Sequence, residues 1–240
     1  MIDVDARGVV ELTQALVRIP STNDPARGRN ERPAAELVEA KMREWGWEPV
    51  VYEAAPGRPN VVAVVEGGGG DGPTLMFEGH TDVVTEGDLS TWTVDPFGGE
   101  IRDGRLWGRG SADMKSGLAA TLYATRALQL AGPFPGRIKV CALADEEGLM
   151  IGAHHFVAEG LTADVDGAIV AEPEAGRSAR WPRARCGCGW TSPARWPTGP
   201  CRSTGETRSG RWARCWWRSG RCRRSCRRGI RRTSTSARCT

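Results

Sequence analysis

The chain has 240 residues and a net charge of +4, but residues 1–175 carry 15 basic against 28 acidic residues, whereas 176–240 carry eighteen Arg, no Lys and one acid, Glu206. The basic average therefore belongs to the last quarter alone and says nothing about the partners of the first part, which is net acidic. No apolar run approaches the ~18–20 residues needed to span a bilayer, and a single cysteine in the first part, Cys141, excludes a disulfide framework there.

Residues Met1 to Asp5 are acidic and lack the apolar stretch of a signal peptide, so a soluble, cytoplasmic protein is expected. Val9, Leu12, Leu16 and Val17 recur at helical spacing, and Pro20-Ser21-Thr22-Asn23 ends that helix. A second helix runs from Arg32 through Met42, with Ala35, Leu37, Val38 and Met42 inward and Gly46 as its stop. Val50-Val51-Tyr52 and Asn60 to Val65 are β-branched runs that read as strands. Gly67 to Gly70 reads as a hairpin loop, because no helix follows to make it a phosphate cradle. Thr74 to Phe77 leads as a strand into His80, and Trp92 to Gly110 is a loop with a short hairpin around Asp103-Gly104. Lys115 to Leu130 is helical and stopped by Gly132-Pro133; Arg137 to Ala144 is a strand, Gly152 to Glu159 a helix, and Gly167 to Ala171 a strand ending at Glu172. Strands alternating with helices indicate an α/β layered sheet with flanking helices.

Three acidic stretches and one histidine carry the chemistry. They are Gly79-His80-Thr81-Asp82, Asp113 within Gly108 to Lys115, and Asp145-Glu146-Glu147-Gly148. Each closes a strand or opens a helix, so all three can meet at one sheet edge, where open α/β sheets keep their sites. One imidazole with several carboxylates is the donor set of a hydrolytic two-metal site. Taken singly the signals have plainer readings. His80-x-Asp82 is also a solvent-facing strand end, Asp113 an N-cap, Glu146-Glu147 a solvated turn, and Glu172 a strand-end acid. His154 and His155 read as surface or packing histidines, and Cys141 as a small core residue.

The order Gly-His-Thr-Asp-Val-Val, Gly-Arg-Gly-Ser-Ala-Asp-Met-Lys-Ser-Gly, Ala-Asp-Glu-Glu-Gly and Glu-Pro, over residues 8 to 174, resembles one metallohydrolase family. Its members include acetylornithine deacetylase, succinyl-diaminopimelate desuccinylase, aminoacylase and glutamate carboxypeptidase. The resemblance implies a zinc-exopeptidase-like catalytic domain, here incomplete, that holds two Zn2+ (Co2+ is an alternative). By that resemblance His80 binds one metal together with Glu172, Asp113 bridges, Glu147 binds the other, Glu146 is the general base and Asp82 its brace. The implied substrate is a small N-acyl amino acid or peptide-like molecule, with no membrane partner.

The chain departs from the family in two ways. The family completes its second metal with a histidine near the C-terminus, and it inserts a lid and dimerisation domain after the Glu-Pro strand. The chain has only His80, His154 and His155, so family homodimerisation loses its domain and the chain is expected to be inactive as it stands. Residues 176–240 contain seven of eight Cys, six of ten Trp and only Ile230 among Leu, Ile, Val, Met and Phe. With so little apolar burial to offset ordering entropy, this tail is expected to be disordered. Its residue set is what a GC-rich gene yields in a wrong reading frame. Shifting the frame from Thr191 permits a string containing Ala-His-Gly, and from Glu206 Asn-Ala-Ile, which resembles the family's lid segment. The expected division is thus 1–175, catalytic-domain part, and 176–240, a frameshifted tail. The competing reading is a non-catalytic metal-binding remnant with a basic nucleic-acid-binding tail. Absent Lys, and cysteine spacings without partner histidines, argue against it.

Overall fold

The computed structural model describes residues 2–173. The expectations about 176–240 (a disordered, frameshifted or nucleic-acid-binding tail) lie outside the described residues.

Helix α1 (Ala6–Val17) starts where the Asp5 carboxylate accepts the Gly8 amide at 2.9 Å, and it buries Leu12, Leu16 and Val17. Helix α2 (Arg32–Glu44) buries Ala34, Ala35, Val38 and Met42, with Leu37 only half-buried. Strands β1 (Val50–Ala55), β2 (Arg58–Glu66) and β3 (Thr74–His80) follow, then a small hairpin of β4 (Glu100–Arg102) and β5 (Arg105–Trp107). Helix α3 (Lys115–Leu130), β6 (Arg137–Leu143), α4 (Ile151–Ala158) and β7 (Gly167–Val170) complete the described chain.

The main sheet has the order β1-β2-β6-β3-β7. β1, β2 and β6 pair antiparallel, whereas β3 lies parallel to both β6 and β7. This corrects the hairpin expected at Gly67 to Gly70. Strands β2 and β3 are not neighbours, because β6 lies between them. The glycine segment instead packs against the approach to β6: the Phe134 amide donates to Gly67 O and the Gly67 amide to Gly136 O, each at 2.8 Å, and the Gly69 amide reaches Phe134 O at 3.0 Å.

The alternation of side chains along each strand divides the core in two. On one face Val61, Ala63, Val65, Ile138, Val140 and Phe77 pack with Leu12, Leu16, Val38, Met42, Leu118 and Leu122 from the first three helices. On the other, Val62, Met76, Cys141 and Leu143 meet Ala153 and Phe156 of α4. Cys141 is thus a fully buried core residue, as expected. Among the described residues no helix is long and apolar enough to cross a membrane.

Candidate active site

Parallel pairing brings the acidic stretches together. His80 is the last residue of β3 and stands opposite Leu143, the last of β6, so Asp145-Glu146-Glu147 emerges beside it. On the other flank β7 pairs with β3 through Glu78 and Val170, which delivers Glu172 to the same edge. Asp113 arrives from the turn preceding α3. It is not the helix cap; Met114 holds that position without a side-chain cap bond, and the Asp113 carboxylate faces His80 instead.

The His80 side chain is fully buried. Its Nδ1 lies 2.9 Å from the Asp82 carbonyl oxygen. A carbonyl can only accept, so Nδ1 carries a proton and Nε2 is left facing the acids. Around Nε2 stand Asp113 Oδ1 at 3.2 Å, Glu172 Oε1 at 3.4 Å and Glu146 Oε2 at 3.9 Å. Ligand atoms of His80, Asp113 and Glu147 lie within 4.8 Å of one another, as do those of His80, Glu146 and Glu172. All five sequence-predicted acids and the histidine are therefore at one sheet edge, and the adjacent Glu146 and Glu147 fall into different groups. His154 and His155 lie on α4, exposed and half-buried, outside these groups.

The donors fit a divalent cation. Glu172 Oε1 is buried without a hydrogen-bond partner, the state of an oxygen that a cation would satisfy. Burial disfavours a charged His80, but the hydrogen bond to Asp113, the Glu172 carboxylate 3.4 Å away and the charges of Asp82 and Glu146 outweigh it, raising its pKa to about 11. Burial, with Glu172, Glu147 and Asp82 adding to it against His80, raises Glu146 to about 7. Burial likewise raises Glu147 and Asp82, whereas the hydrogen bond to His80 lowers Asp113.

Asp82 does more than the sequence indicated. Its carbonyl, not its carboxylate, takes the His80 hydrogen bond; the carboxylate accepts the backbone amides of Glu146 at 3.1 Å and Glu147 at 3.0 Å. Lys115, read from sequence only as a helix start and part of a motif, is fully buried and donates from Nζ to Leu16 O and Ile19 O, each at 2.8 Å. It ties the end of α1 to the turn holding Asp113. Burial lowers its pKa to about 7 against the opposing charge of Asp82. Gly117 of α3 packs so closely on the β7 exit that a Cβ there would stand 2.1 Å from Ala171 O, next to Glu172.

The fold and site define an α/β domain built like the catalytic domains of metallopeptidases. Human carnosine dipeptidase 1 shares the fold with a TM-score of 0.59 at 21% identity, over 68% of this chain and 38% of that one. The metallo-carboxypeptidase Sso-CP2 of Sulfolobus solfataricus matches with a TM-score of 0.59 at 22% identity, over 68% and 37%. Residues 76–182 match the model of Peptidase family M20/M25/M40, so this part of the chain is similar to that family. Among curated relatives, the succinyl-diaminopimelate desuccinylase of Rhodospirillum centenum is 38% identical over 170 residues, 68% of this chain and 42% of the relative. That of Methylorubrum populi is 43% identical over 142 residues, 57% and 35% respectively. The chain thus spans less than half the length of these relatives.

Proposed function

We propose that the protein is a dinuclear zinc or cobalt amidohydrolase that cleaves the amide of a small N-acyl amino acid or peptide-like substrate, desuccinylation being the favoured variant. The reading is carried by His80 Nε2 facing Asp113, Glu146 and Glu172 with an unpartnered Glu172 oxygen among them. The names of the curated relatives favour the N-succinyl class.

His80, Asp113 and Glu172 would hold one ion, and Asp113 with Glu147 the other. When bound, such ions supply Lewis-acid polarisation of the amide carbonyl and ease deprotonation of water. Glu146 takes a proton from the attacking water and returns it to the leaving amine nitrogen. A carboxyl poised near pH 7 can do both. Asp82 holds the backbone on which Glu146 and Glu147 stand, and its carbonyl fixes the His80 tautomer so that the free nitrogen points at the site.

Equilibrium dialysis of the chain against Zn2+ tests the metal half of the reading: two ions per chain are expected, the one on Asp113 and Glu147 the weaker because the histidine that completes it in the family is absent, and His80→Ala should lose at least one. Release of succinate from an N-succinyl amino acid tests the chemistry. The chain alone is expected to bind metal without turnover, and the full-length family protein to hydrolyse. No more than one weakly bound ion in the chain would sink the dinuclear reading.

A further inference from the structure

Beyond the ligand set, one buried charge network reaches the turn that carries Glu146 and Glu147. Arg58, the first residue of β2, lies between Glu31 at the start of α2 and Asp145 just past β6. The side chains of Glu31, Asp145 and Arg58 are 0%, 5% and 13% exposed. Arg58 Nε donates to the two Glu31 oxygens at 3.1 and 2.9 Å, and Nη2 donates to Asp145 Oδ1 at 2.6 Å and also to Glu31. Removing such ions from water costs several kcal/mol each before their attraction offsets it, so a buried network is poor evidence for stability as its purpose.

Its purpose is legible in how Asp145 uses its other acceptors. Oδ2 accepts the amides of Leu149 at 3.0 Å and Ile151 at 3.3 Å, and the Asp145 carbonyl accepts the amide of Met150 at 2.7 Å. Asp145 itself sits at φ 63°, a left-handed conformation that a non-glycine residue adopts only when its surroundings hold it there. The turn closes so tightly on the carboxylate that a Cβ on Gly148 would meet Asp145 Oδ1 at 2.4 Å. The Glu146-Glu147 backbone is therefore clasped between two carboxylates. Asp82 takes its amides from the β3 side, and Asp145 folds the turn from the β6 side. Asp82 is fixed by its own strand end, whereas Asp145 is fixed by Arg58.

We propose that Arg58 is a positioning residue for the metal site: anchored by Glu31, it holds the Asp145 carboxylate and so sets where the Glu146-Glu147 turn places its side chains. It touches neither metal nor substrate. Arg58 engages the two carboxylates through separate donors of one rigid planar fork, Nε and Nη2, a geometry that the single nitrogen of lysine reproduces only in part. The ion using Glu147 depends on this turn; the ion shared by His80 and Glu172 draws those two ligands from β3 and the β7 exit, which Arg58 does not reach.

The inference rests on the dinuclear reading, and Co2+ titration of the 240-residue chain separates the two. Stoichiometry is read by equilibrium dialysis, ligand geometry by the visible Co2+ absorption, and folding by circular dichroism. Wild type is expected to bind two ions. Arg58→Met should keep one within about threefold and weaken the other by about 10–100-fold, the usual effect of losing a residue that orients a ligand. The band assigned to the second ion should change with it. Arg58→Lys should recover part of the loss. Unchanged affinities, or a parallel loss of both ions, would overturn the positioning role and leave the dinuclear reading standing. A wild-type chain binding fewer than two ions would overturn both. If Arg58→Met does not fold, Arg58→Lys decides: two ions at wild-type affinity and spectrum would refute the proposal.

Discussion

Replacing Gly117 by alanine sets two physical effects against each other. In an exposed helix the change stabilises by about 0.5–1 kcal/mol, because glycine loses more backbone entropy on folding. Here the new Cβ would lie 2.1 Å from Ala171 O and 3.0 Å from Ala171 Cβ. A carbon normally approaches a carbonyl oxygen no closer than about 3.3 Å, so α3 and the β7 exit must separate by about 1.2 Å. Both obstacles belong to Ala171, and one is backbone, so no flexible side-chain end can yield instead. Overpacking of this kind costs about 1–3 kcal/mol, which exceeds the helix-propensity gain. The variant should therefore be about 0.5–2 kcal/mol less stable in urea unfolding followed by circular dichroism. The displaced residue precedes Glu172, whose Oε1 stands 3.4 Å from His80 Nε2. Metal–ligand distances tolerate only about 0.2 Å, so Zn2+ affinity should fall by about tenfold or more, read by competition with a chromophoric chelator. A variant as stable as wild type or more so, with unchanged Zn2+ affinity, would refute the close approach and the placement of Glu172.

Leu118→Ala, in the fully buried face of α3, should cost about 2–5 kcal/mol by urea titration; a loss under 1 kcal/mol would mean that the helix does not seat on the sheet as described. Asp82→Asn keeps one carbonyl acceptor for two amides, so one of the Glu146 and Glu147 N–H groups loses its partner; a loss of about 1–3 kcal/mol together with weaker metal binding is expected, and a change in neither would reject the clasp. The metal-free chain should become less stable between pH 5 and 7. The carboxyls of Glu78 and Glu146 are raised to about 7 and His80 to about 11, so the folded chain holds protons that the unfolded chain releases across this interval. The stability tied to His80 is complete below its unfolded value near 6.5 and fades as pH climbs towards 11, while Lys115, lowered to about 7, opposes it above pH 7. Urea midpoints in the presence of chelator would show the fall, and a rise from pH 5 to 7 would contradict it. At pH 7 Zn2+ must displace the His80 Nε2 proton, so calorimetric binding enthalpy should vary with buffer ionisation enthalpy; no such variation would show that His80 is already neutral.

The elements that position the site were readable because each has a local signature. The strand before His80, the helix from Lys115 to Leu130 and the strand into the glutamate pair fall where hydrophobic period and turn residues put them. Strand order was not readable. Glycines between two strand-like apolar runs look like a hairpin, and nothing in those residues announces that β6 will insert between β2 and β3. The candidate ligands were legible as a set because residue types and order, not any single residue, carry the resemblance. What was hidden is the support beneath them. Arg58 and Asp145 are 87 positions apart, and an arginine opening a strand looks like any surface charge until the fold buries it. Asp82 was read as a brace, but only the structure distinguishes its carbonyl, which orients the imidazole, from its carboxylate, which holds a loop.

Inserting β6 between β2 and β3 has a consequence during synthesis. Both neighbours of the His80 strand, β6 and β7, are made after it, so β3 waits with two open edges until residues 137–143 and then 167–170 leave the ribosome. Closing the sheet thus requires contacts between distant parts of the chain, a topology that folds slowly and exposes unpaired strands to aggregation in the interim. A fragment ending at residue 136 would keep the β1-β2 hairpin and both strands that β6 joins, yet have nothing to join them.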